Sequence, residues 1–272
     1  ETILVSEQQF DALSQVREEF LQYRNNYDNP RPVGNNSPTI GLSLPASSSG
    51  RNDPNYRVVQ DDEVPGTVVY TMVTNDLDRI LRNIRNARQY GDVVIAAAHI
   101  HQSQSVVERQ HLSTRPPEFY VELAHRSIDA GADVFVGSGV QTLRGIEIYN
   151  GKPIFYGLGE FFREAQWELP VIMGNTDADQ RRGMQQFARR FGDSTQSLES
   201  LVAISQFEDG ELKEVRLYPT ELGIDSPDSR LGIPRLASLQ QAQQILQRVE
   251  RLSDQWGTTI DIEGSVGIIR VR

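Results

Sequence analysis

The sequence contains no cysteine, which excludes disulfide bonds, thiolate nucleophiles and cysteine-ligated metals. It has no apolar run of the roughly 18 to 20 residues that a membrane-spanning helix needs. Among its 27 basic residues only Lys152 and Lys213 are lysines, and the others are arginines. The formal net charge of −10 argues against non-specific nucleic-acid binding, because such binding requires a basic surface that neutralises phosphates.

Two short apolar segments in the middle of the chain each end in small or polar residues. The first runs from Gly91 to His101 (GDVVIAAAHIH), and the second runs from Ala132 to Gln141 (ADVFVGSGVQ). Residues 118–130 between them have helical spacing. The order predicts a strand, a helix and a second, parallel strand, which together form a βαβ unit of an α/β domain.

The carboxyl ends of these two strands are the expected location of a functional site, because α/β sheets bind ligands at that edge. His99, His101, Ser138 and Gln141 should therefore lie along one rim. A His-x-His pair on an extended segment brings both imidazoles near one point, since alternate residues share a face. This arrangement suits a divalent metal, although a rim histidine can equally well hydrogen-bond the backbone.

Two further stretches carry a resemblance to a known family. They are residues 123–137 (LAHRSIDAGADVFVG) and residues 143–161 (LRGIEIYNGKPIFYGLGEF). They resemble the poly-γ-glutamate capsule biosynthesis proteins of CapA type, and weaker similarity extends the match to about residues 67 to 271. Because that family is similar to the metallophosphoesterases, the resemblance implies an αββα sandwich and a metal-dependent hydrolase of the bacterial cell envelope. The implied cofactor is a divalent metal such as Mn, Zn, Fe or Mg.

The sequence departs from the family pattern in two places. Where the family usually has a Gly-His-Gly or Gly-His-His turn, this chain has Gly137-Ser138-Gly139, so that serine replaces a usual metal-binding histidine. The second histidine of that turn corresponds to Gln141. The Gly-Asp and Asn-Asn-His turns of the family's amino-terminal third are not found, and we expect them to precede residue 1 or to come from a partner chain.

The resemblance and the strand pattern together assign the site residues. We predict His99 and His101 as metal ligands and, with Ser138, as catalytic residues. Ser138 could be a nucleophile, a hydrogen-bonding group for a phosphate or a metal-bound water, or a weakened metal position. The predicted substrate-binding residues are Gly137, Gly139, Gln141, Arg144 and Glu160.

Several of these polar residues also have a purely structural interpretation. Arg144 and Glu147 could form structural contacts beside the rim, and Glu160 could simply start a helix. His125 lies in the helix between the two strands and is expected to pack on the sheet, whereas His111 lies in a polar loop and is expected to be solvated.

Three functions remain open at this stage. The first is hydrolysis of a phosphoester or of an amide in a glutamyl polymer, or of a small molecule. The second is a catalytically degenerate binding or assembly module of the cell envelope. The third is one part of an enzyme that a missing amino-terminal segment or a partner chain completes. An extracytoplasmic location is expected, and a cytoplasmic one stays open.

The chain divides by composition into two parts. Residues 1–66 comprise a predicted helix at residues 4–23, capped by Ser6, and a long loop at residues 25–66 that is rich in Pro, Asn and Ser. Residues 67–272 form the predicted α/β domain.

Within this domain, Thr67 to Val73 reads as a strand, and Thr74 or Asn75 should cap the helix that follows. Asn150-Gly151 and Asp209-Gly210 each predict a β-hairpin. We also expect a helix at residues 239–256 and a last strand near residues 266–271.

Arginines recur at every third position of the predicted helix that precedes Gly91. This spacing places them on one helix face. The face is either solvated and balanced by Asp76 and Asp78 or a patch for a carboxylate or phosphate polymer. The arginines are Arg79, Arg82, Arg85 and Arg88.

Overall fold

The computed structural model describes residues 2–13, 55–58, 68–103, 113–162, 198–223 and 232–271. The chain divides into two compact units, one of residues 1–71 with 104–108 and the other of residues 72–103 with 109–272. The sequence-based division into residues 1–66 and 67–272 stays a prediction.

The described part of the first unit contains a small three-stranded sheet. Its central strand β1 (Thr2–Val5) pairs in parallel with β2 (Asn55–Val58) and antiparallel with β3 (Val68–Val69). Strand β2 lies within the segment predicted as a loop, so that prediction is wrong at these four residues. The described part of the predicted strand from Thr67 to Val73 pairs only at β3.

A capping box opens the helix that follows β1. The Ser6 hydroxyl accepts a hydrogen bond from the Gln9 N–H at 3.3 Å, and Gln9 Oε1 accepts one from the Ser6 N–H at 2.9 Å. Ser6 is therefore confirmed as the cap. The predicted start at residue 4 is wrong, because Thr2–Val5 is a strand and the helical residues are 7–13 within the described range.

A four-stranded sheet and two helices form the first half of the second unit. Helix α1 (Thr74–Ala87) precedes β4 (Ile95–His99), and helix α2 (Glu118–Asp129) joins β4 to β5 (Val134–Ser138). Strands β4 and β5 pair in parallel, which confirms the predicted βαβ unit. The residue that caps α1 is Val73, whose side chain makes no capping hydrogen bond, so the prediction of Thr74 or Asn75 as the cap is wrong.

The sheet is completed by the predicted hairpin at Asn150-Gly151. Strands β6 (Ile146–Tyr149) and β7 (Lys152–Phe155) pair antiparallel, and the strand order is β4-β5-β7-β6. Asn150 and Gly151 have φ values of 49° and 72°, as a type I′ turn requires.

The second half of this unit is a five-stranded sheet with one long helix. A hairpin at Asp209-Gly210 joins its two longest strands, as predicted. Helix α3 is followed by a short 3₁₀ turn, Asp254–Trp256. The elements are β8 (Glu199–Glu208), β9 (Glu211–Glu221), β10 (Arg235–Leu236), α3 (Leu239–Ser253), β11 (Asp261–Glu263) and β12 (Val266–Arg270).

Alternate residues of the four-stranded sheet enter two different cores. On one face Phe135 and Ile154 pack with residues of α1 and α2. On the other face Val134 and Phe155 pack with the five-stranded sheet and with α3. The second unit is therefore a layered α/β domain with parallel and antiparallel strands, consistent with the expected metallophosphoesterase-like fold class. None of the described helices has the length and apolar character needed to cross a membrane.

Asp133 ties the ends of several of these elements together. Arg88, at the end of α1, donates to its two carboxylate oxygens at 2.6 and 2.8 Å. The Val94 N–H and the Lys152 ammonium donate to the same carboxylate at 2.9 and 3.0 Å. This buried carboxylate fixes the edge of the sheet that lies opposite the predicted site.

Candidate functional site

The parallel register of β4 and β5 brings two of the predicted site residues together. His99 and Ser138 are the last residues of their strands and are direct cross-strand partners, so their side chains leave the same face of the sheet. His99 Nδ1 lies 3.0 Å from Ser138 Oγ in a hydrogen bond. The rim predicted from the sequence is thus present at these two positions.

A close backbone approach fixes the segments that follow the two strands. The Ile100 N–H donates to the Ser138 carbonyl at 2.8 Å. Gly139 has a φ of 106°, and a Cβ atom added there would lie 2.6 Å from the Ile100 carbonyl oxygen. Only glycine combines that backbone conformation with so close a contact. This explains why a glycine follows Ser138.

His101 completes a chain of three polar side chains along the rim. Its Nε2 lies 3.0 Å from His99 Nε2, and the two rings meet edge to face with centroids 4.7 Å apart. Such a contact forms either when one nitrogen donates a proton to the other or when both lone pairs face one cation.

The contact with Ser138 is compatible with either tautomer of His99. If the Nδ1–H of His99 donates to the Ser138 hydroxyl, the Nε2 lone pair is left to face His101. Metal-binding histidines commonly use the second ring nitrogen in this way, which orients the ring and makes it a stronger ligand.

The donor set fits one half of a metal site. His99 and His101 supply two convergent imidazole nitrogens, which suits zinc, manganese or iron. Within the described ranges, no group of three or more His, Asp and Glu side chains is placed to hold a metal ion. Further ligands would have to come from elsewhere.

The predicted substrate-binding residues lie in different environments. Gly137 faces the hydroxyl group of Tyr120, and a Cβ atom added to Gly137 would lie 1.8 Å from Tyr120 Oη, so this glycine leaves room for the tyrosine below the rim. Gln141 lies in the loop after β5, and its Oε1 is buried with no hydrogen-bond partner in the described part of the chain. Glu160 is half-buried and follows Gly159, which forms a bridge with Ser200 of the second sheet. The substrate roles of Gly137, Gly139, Gln141 and Glu160 stay predictions.

Arg144 is fully buried and makes structural contacts. Its Nε donates to the Ser113 carbonyl at 3.0 Å, and its Nη2 donates to the Gln102 carbonyl at 3.1 Å. These hydrogen bonds support the structural interpretation of Arg144. Its role in substrate binding stays a prediction.

A second polar cluster, which was not predicted from the sequence, lies between α2 and the hairpin. His125 Nε2–H donates to both oxygens of the buried Glu147 carboxylate at 2.9 and 3.0 Å. The Tyr156 hydroxyl donates to Glu147 Oε2 at 2.6 Å, and Tyr149 stacks on the His125 ring with centroids 3.9 Å apart. The sequence feature that could have revealed this cluster is Glu147, a charged residue inside an otherwise apolar hairpin strand. His125 packs on the sheet as expected, whereas His111 lies outside the described residues.

Known proteins resemble this chain over much of its length. Residues 13–165 match the family described as bacterial capsule synthesis protein PGA_cap. An uncharacterized protein of Sinorhizobium fredii, y4sH, is 40% identical over 222 residues, which cover 74% of this chain and 46% of that protein. The chain thus spans about half the length of this curated relative.

Two relatives have names that refer to polymer synthesis. The PGA biosynthesis protein CapA of Bacillus subtilis is 34% identical over 84 residues, which cover 31% of this chain and 20% of that protein. A probable polyglutamine synthesis accessory protein of Mycobacterium tuberculosis is 31% identical over 129 residues, which cover 47% of this chain and 31% of that protein. Since the family match spans more than half of the sequence and includes β4, α2, β5 and the hairpin that surround the rim, this chain belongs to the PGA_cap family of bacterial capsule synthesis proteins.

Proposed function

We propose that the chain acts in the biosynthesis of a bacterial capsule polymer, at a metal-dependent hydrolytic site on the rim of the four-stranded sheet. The observation that carries the proposal is the 3.0 Å approach of His99 Nε2 to His101 Nε2, with Ser138 on the other nitrogen of His99. Membership of the capsule synthesis family supports the biological setting.

Each rim residue has a definite task in this proposal. His99 and His101 bind one divalent cation, and Ser138 holds His99 in the tautomer that can bind it. When bound, the cation supplies Lewis-acid polarisation of a phosphoryl or carbonyl oxygen. Gly139 keeps the carboxyl ends of β4 and β5 close together, which maintains the alignment of the two imidazoles.

The proposed substrate is a phosphoester or an amide bond of a glutamyl polymer. The names of the relatives from Bacillus subtilis and Mycobacterium tuberculosis support a glutamate-related or glutamine-related polymer. The cell envelope is the corresponding proposed location. The acidic net charge of −10 disfavours passive adsorption of a polyanion, so binding would depend on local contacts at the rim.

The remaining ligands would come from segments outside the described residues or from a partner chain. Two observations support this part of the proposal. The described residues supply only two convergent imidazoles, and β4 is the outermost of the strands that the structure describes in this sheet, with Ile95 61% exposed. Outer strands can pair with a further strand, which would bring additional side chains to the rim.

The first of these observations, the supply of only two convergent imidazoles by the described residues, also favours a second candidate function. Without further ligands, the rim would serve a binding or assembly module that recognises the polymer without turnover. The two candidates differ in their dependence on metal, and one experiment separates them.

The experiment is equilibrium dialysis of the purified chain against Zn²⁺ and Mn²⁺, with elemental analysis of the wild type and of His99→Ala, His101→Ala and His125→Gln. The His125→Gln variant removes a histidine that lies away from the rim and keeps a donor for Glu147, so it is the matched control. We expect binding by the wild type and the control, and an affinity at least about tenfold lower in the two rim variants.

Hydrolysis is tested in parallel with a nitrophenyl phosphodiester and a γ-glutamyl anilide. Activity that requires the cation and is lost in His99→Ala supports the hydrolase. Equal metal binding by all four proteins, or none by the folded wild type, overturns the metal site and leaves the binding module.

A further inference from the structure

Arg144 has the contacts of a residue that holds part of the rim in place. Its side chain has 0% exposure, and a guanidinium so deeply buried is expensive unless hydrogen bonds to charged or strongly polar groups compensate for lost hydration. Its Nε and Nη2 donate to two backbone carbonyls, and its own N–H donates to the Gly157 carbonyl at 2.9 Å. The residue thus joins three separate chain segments below the rim.

One of these segments carries His101. The carbonyl that accepts from Arg144 Nη2 belongs to Gln102, the residue directly after His101. Residues 101–103 lie in irregular structure between β4 and the residues that follow. The hydrogen bond from the rigid, charged guanidinium to the Gln102 carbonyl directly constrains where the peptide after His101 lies.

The surroundings of Arg144 fix the guanidinium itself. Its central carbon lies 5.9 Å from the centroid of the Tyr120 ring, within the range of a cation–π contact. Tyr120 is fully buried and packs against Gly137 at the end of β5. The position of the guanidinium is thereby coupled to the strand that carries Ser138.

We infer that Arg144 is a positioning residue for His101, and that its hydrogen bond to the Gln102 carbonyl maintains the contact between the His101 and His99 imidazoles. In this role Arg144 acts through the backbone that follows His101. The consequence for metal binding rests on the proposed function, whereas the consequence for the geometry of the two rings does not.

The test compares Arg144→Met and Arg144→Lys with Arg88→Met. Methionine keeps a long side chain but removes its hydrogen-bond donors. Lysine keeps the positive charge, but its single ammonium group cannot reproduce the geometry in which the guanidinium donates to two carbonyl oxygens. Arg88→Met is the matched control, because it removes an arginine with equally well-defined contacts at the opposite edge of the same sheet. The readouts are the nuclear Overhauser effect between the His99 and His101 rings in metal-free protein, and the dissociation constant for Zn²⁺.

We expect Arg144→Met to lose the ring-to-ring signal and to bind Zn²⁺ about 10 to 100-fold more weakly, with Arg144→Lys intermediate. Arg88→Met should unfold at a lower temperature but keep both readouts. If Arg144→Met does not fold, the comparison of Arg144→Lys with Arg88→Met carries the test.

The outcomes separate this inference from the proposed function. A ring-to-ring signal that persists in folded Arg144 variants overturns the positioning role, even where the wild type binds Zn²⁺ through His99. A signal that disappears in these variants, in a protein whose wild type binds no Zn²⁺, supports the positioning role and overturns the metal site.

Discussion

Tyr120 and Tyr156 pack edge to face in the core of the second unit, with ring centroids 5.7 Å apart, yet their hydroxyl groups differ in environment. Tyr156 Oη donates to Glu147 at 2.6 Å, whereas Tyr120 Oη has no hydrogen-bond partner among the residues that the structure describes. Burial raises the pKa of Tyr120 to about 12, and burial together with the nearby Glu147 carboxylate raises the pKa of Tyr156 further.

Replacement of these two tyrosines with phenylalanine should therefore affect stability differently. Tyr156→Phe removes a donor from the buried Glu147 carboxylate and should lower the free energy of unfolding by about 2 kcal/mol. Tyr120→Phe removes a buried hydroxyl that has no partner and should be neutral or stabilising. Urea unfolding of both variants and the wild type measures the difference. Equal destabilisation by both replacements would show that the Tyr120 hydroxyl has a hydrogen-bond partner in solution.

The Asp133 cluster should make the stability of the protein dependent on pH in the acid range. Burial acts to raise the pKa of Asp133, but the hydrogen bonds from Arg88, the Val94 N–H and Lys152 outweigh it, so that the pKa is lowered. A lowered pKa contributes stability that is fully present above the unfolded-state value of about 3.9 and disappears as pH falls towards the folded-state value.

Asp133→Asn should therefore lower the free energy of unfolding by about 3 kcal/mol at neutral pH, because two cations lose their partner. The difference from the wild type should shrink steadily below about pH 4. Asp78→Asn is the control, since Asp78 is exposed on α1 and its replacement should change stability by less than about 0.5 kcal/mol. A difference between Asp133→Asn and the wild type that stays constant down to pH 2 would contradict the assignment.

Two glycines with nearly equal φ angles provide a test of the rim geometry. Gly139 and Gly131 have φ values of 106° and 109°, but an added Cβ atom would lie 2.6 Å from the Ile100 carbonyl oxygen at Gly139 and would meet nothing within 4 Å at Gly131. Both alanine variants carry the strain of a positive φ, of order 1 to 3 kcal/mol.

The steric contact is thus the difference between the two variants. Gly139→Ala should be less stable than Gly131→Ala by at least about 1 kcal/mol and should also weaken the His99–His101 contact. Thermal unfolding and the ring-to-ring nuclear Overhauser effect are the measurements. If the two variants behave alike, the rim tolerates separation of β4 from β5.

The sequence was sufficient for the parts of the molecule that local rules determine. The turns at Asn150-Gly151 and Asp209-Gly210 have the residues that positive φ angles require, so both hairpins could be predicted. The contact between His99 and Ser138 could be anticipated, because parallel strands that end in polar residues place them on one edge.

Features that depend on contacts between residues far apart in the sequence could not be predicted from local rules. Strand β2 is only four residues long, and it exists because it pairs with β1, about fifty residues earlier in the chain. The hydrogen bonds of Arg144 to the carbonyls of Ser113 and Gln102 leave no trace in the sequence, because any residue type carries a backbone carbonyl. The cap of α1 has no side-chain hydrogen bond at Val73, so the usual capping residues gave the wrong position.

Ser138 should act through His99 rather than as a nucleophile. In the proposed site its hydroxyl fixes the His99 tautomer, so Ser138→Ala should weaken Zn²⁺ binding by about tenfold or more, as expected for a residue that orients a metal ligand. Ser138→Thr keeps the hydroxyl and the strand propensity, and should bind Zn²⁺ nearly as well as the wild type. Since Ser138 is exposed, neither replacement should change the free energy of unfolding by more than about 1 kcal/mol.

A nucleophilic serine would give a different result, because Ser138→Ala would abolish hydrolysis while leaving the dissociation constant for Zn²⁺ unchanged. Measuring Zn²⁺ affinity and hydrolysis on the same preparations of the three proteins distinguishes the two roles.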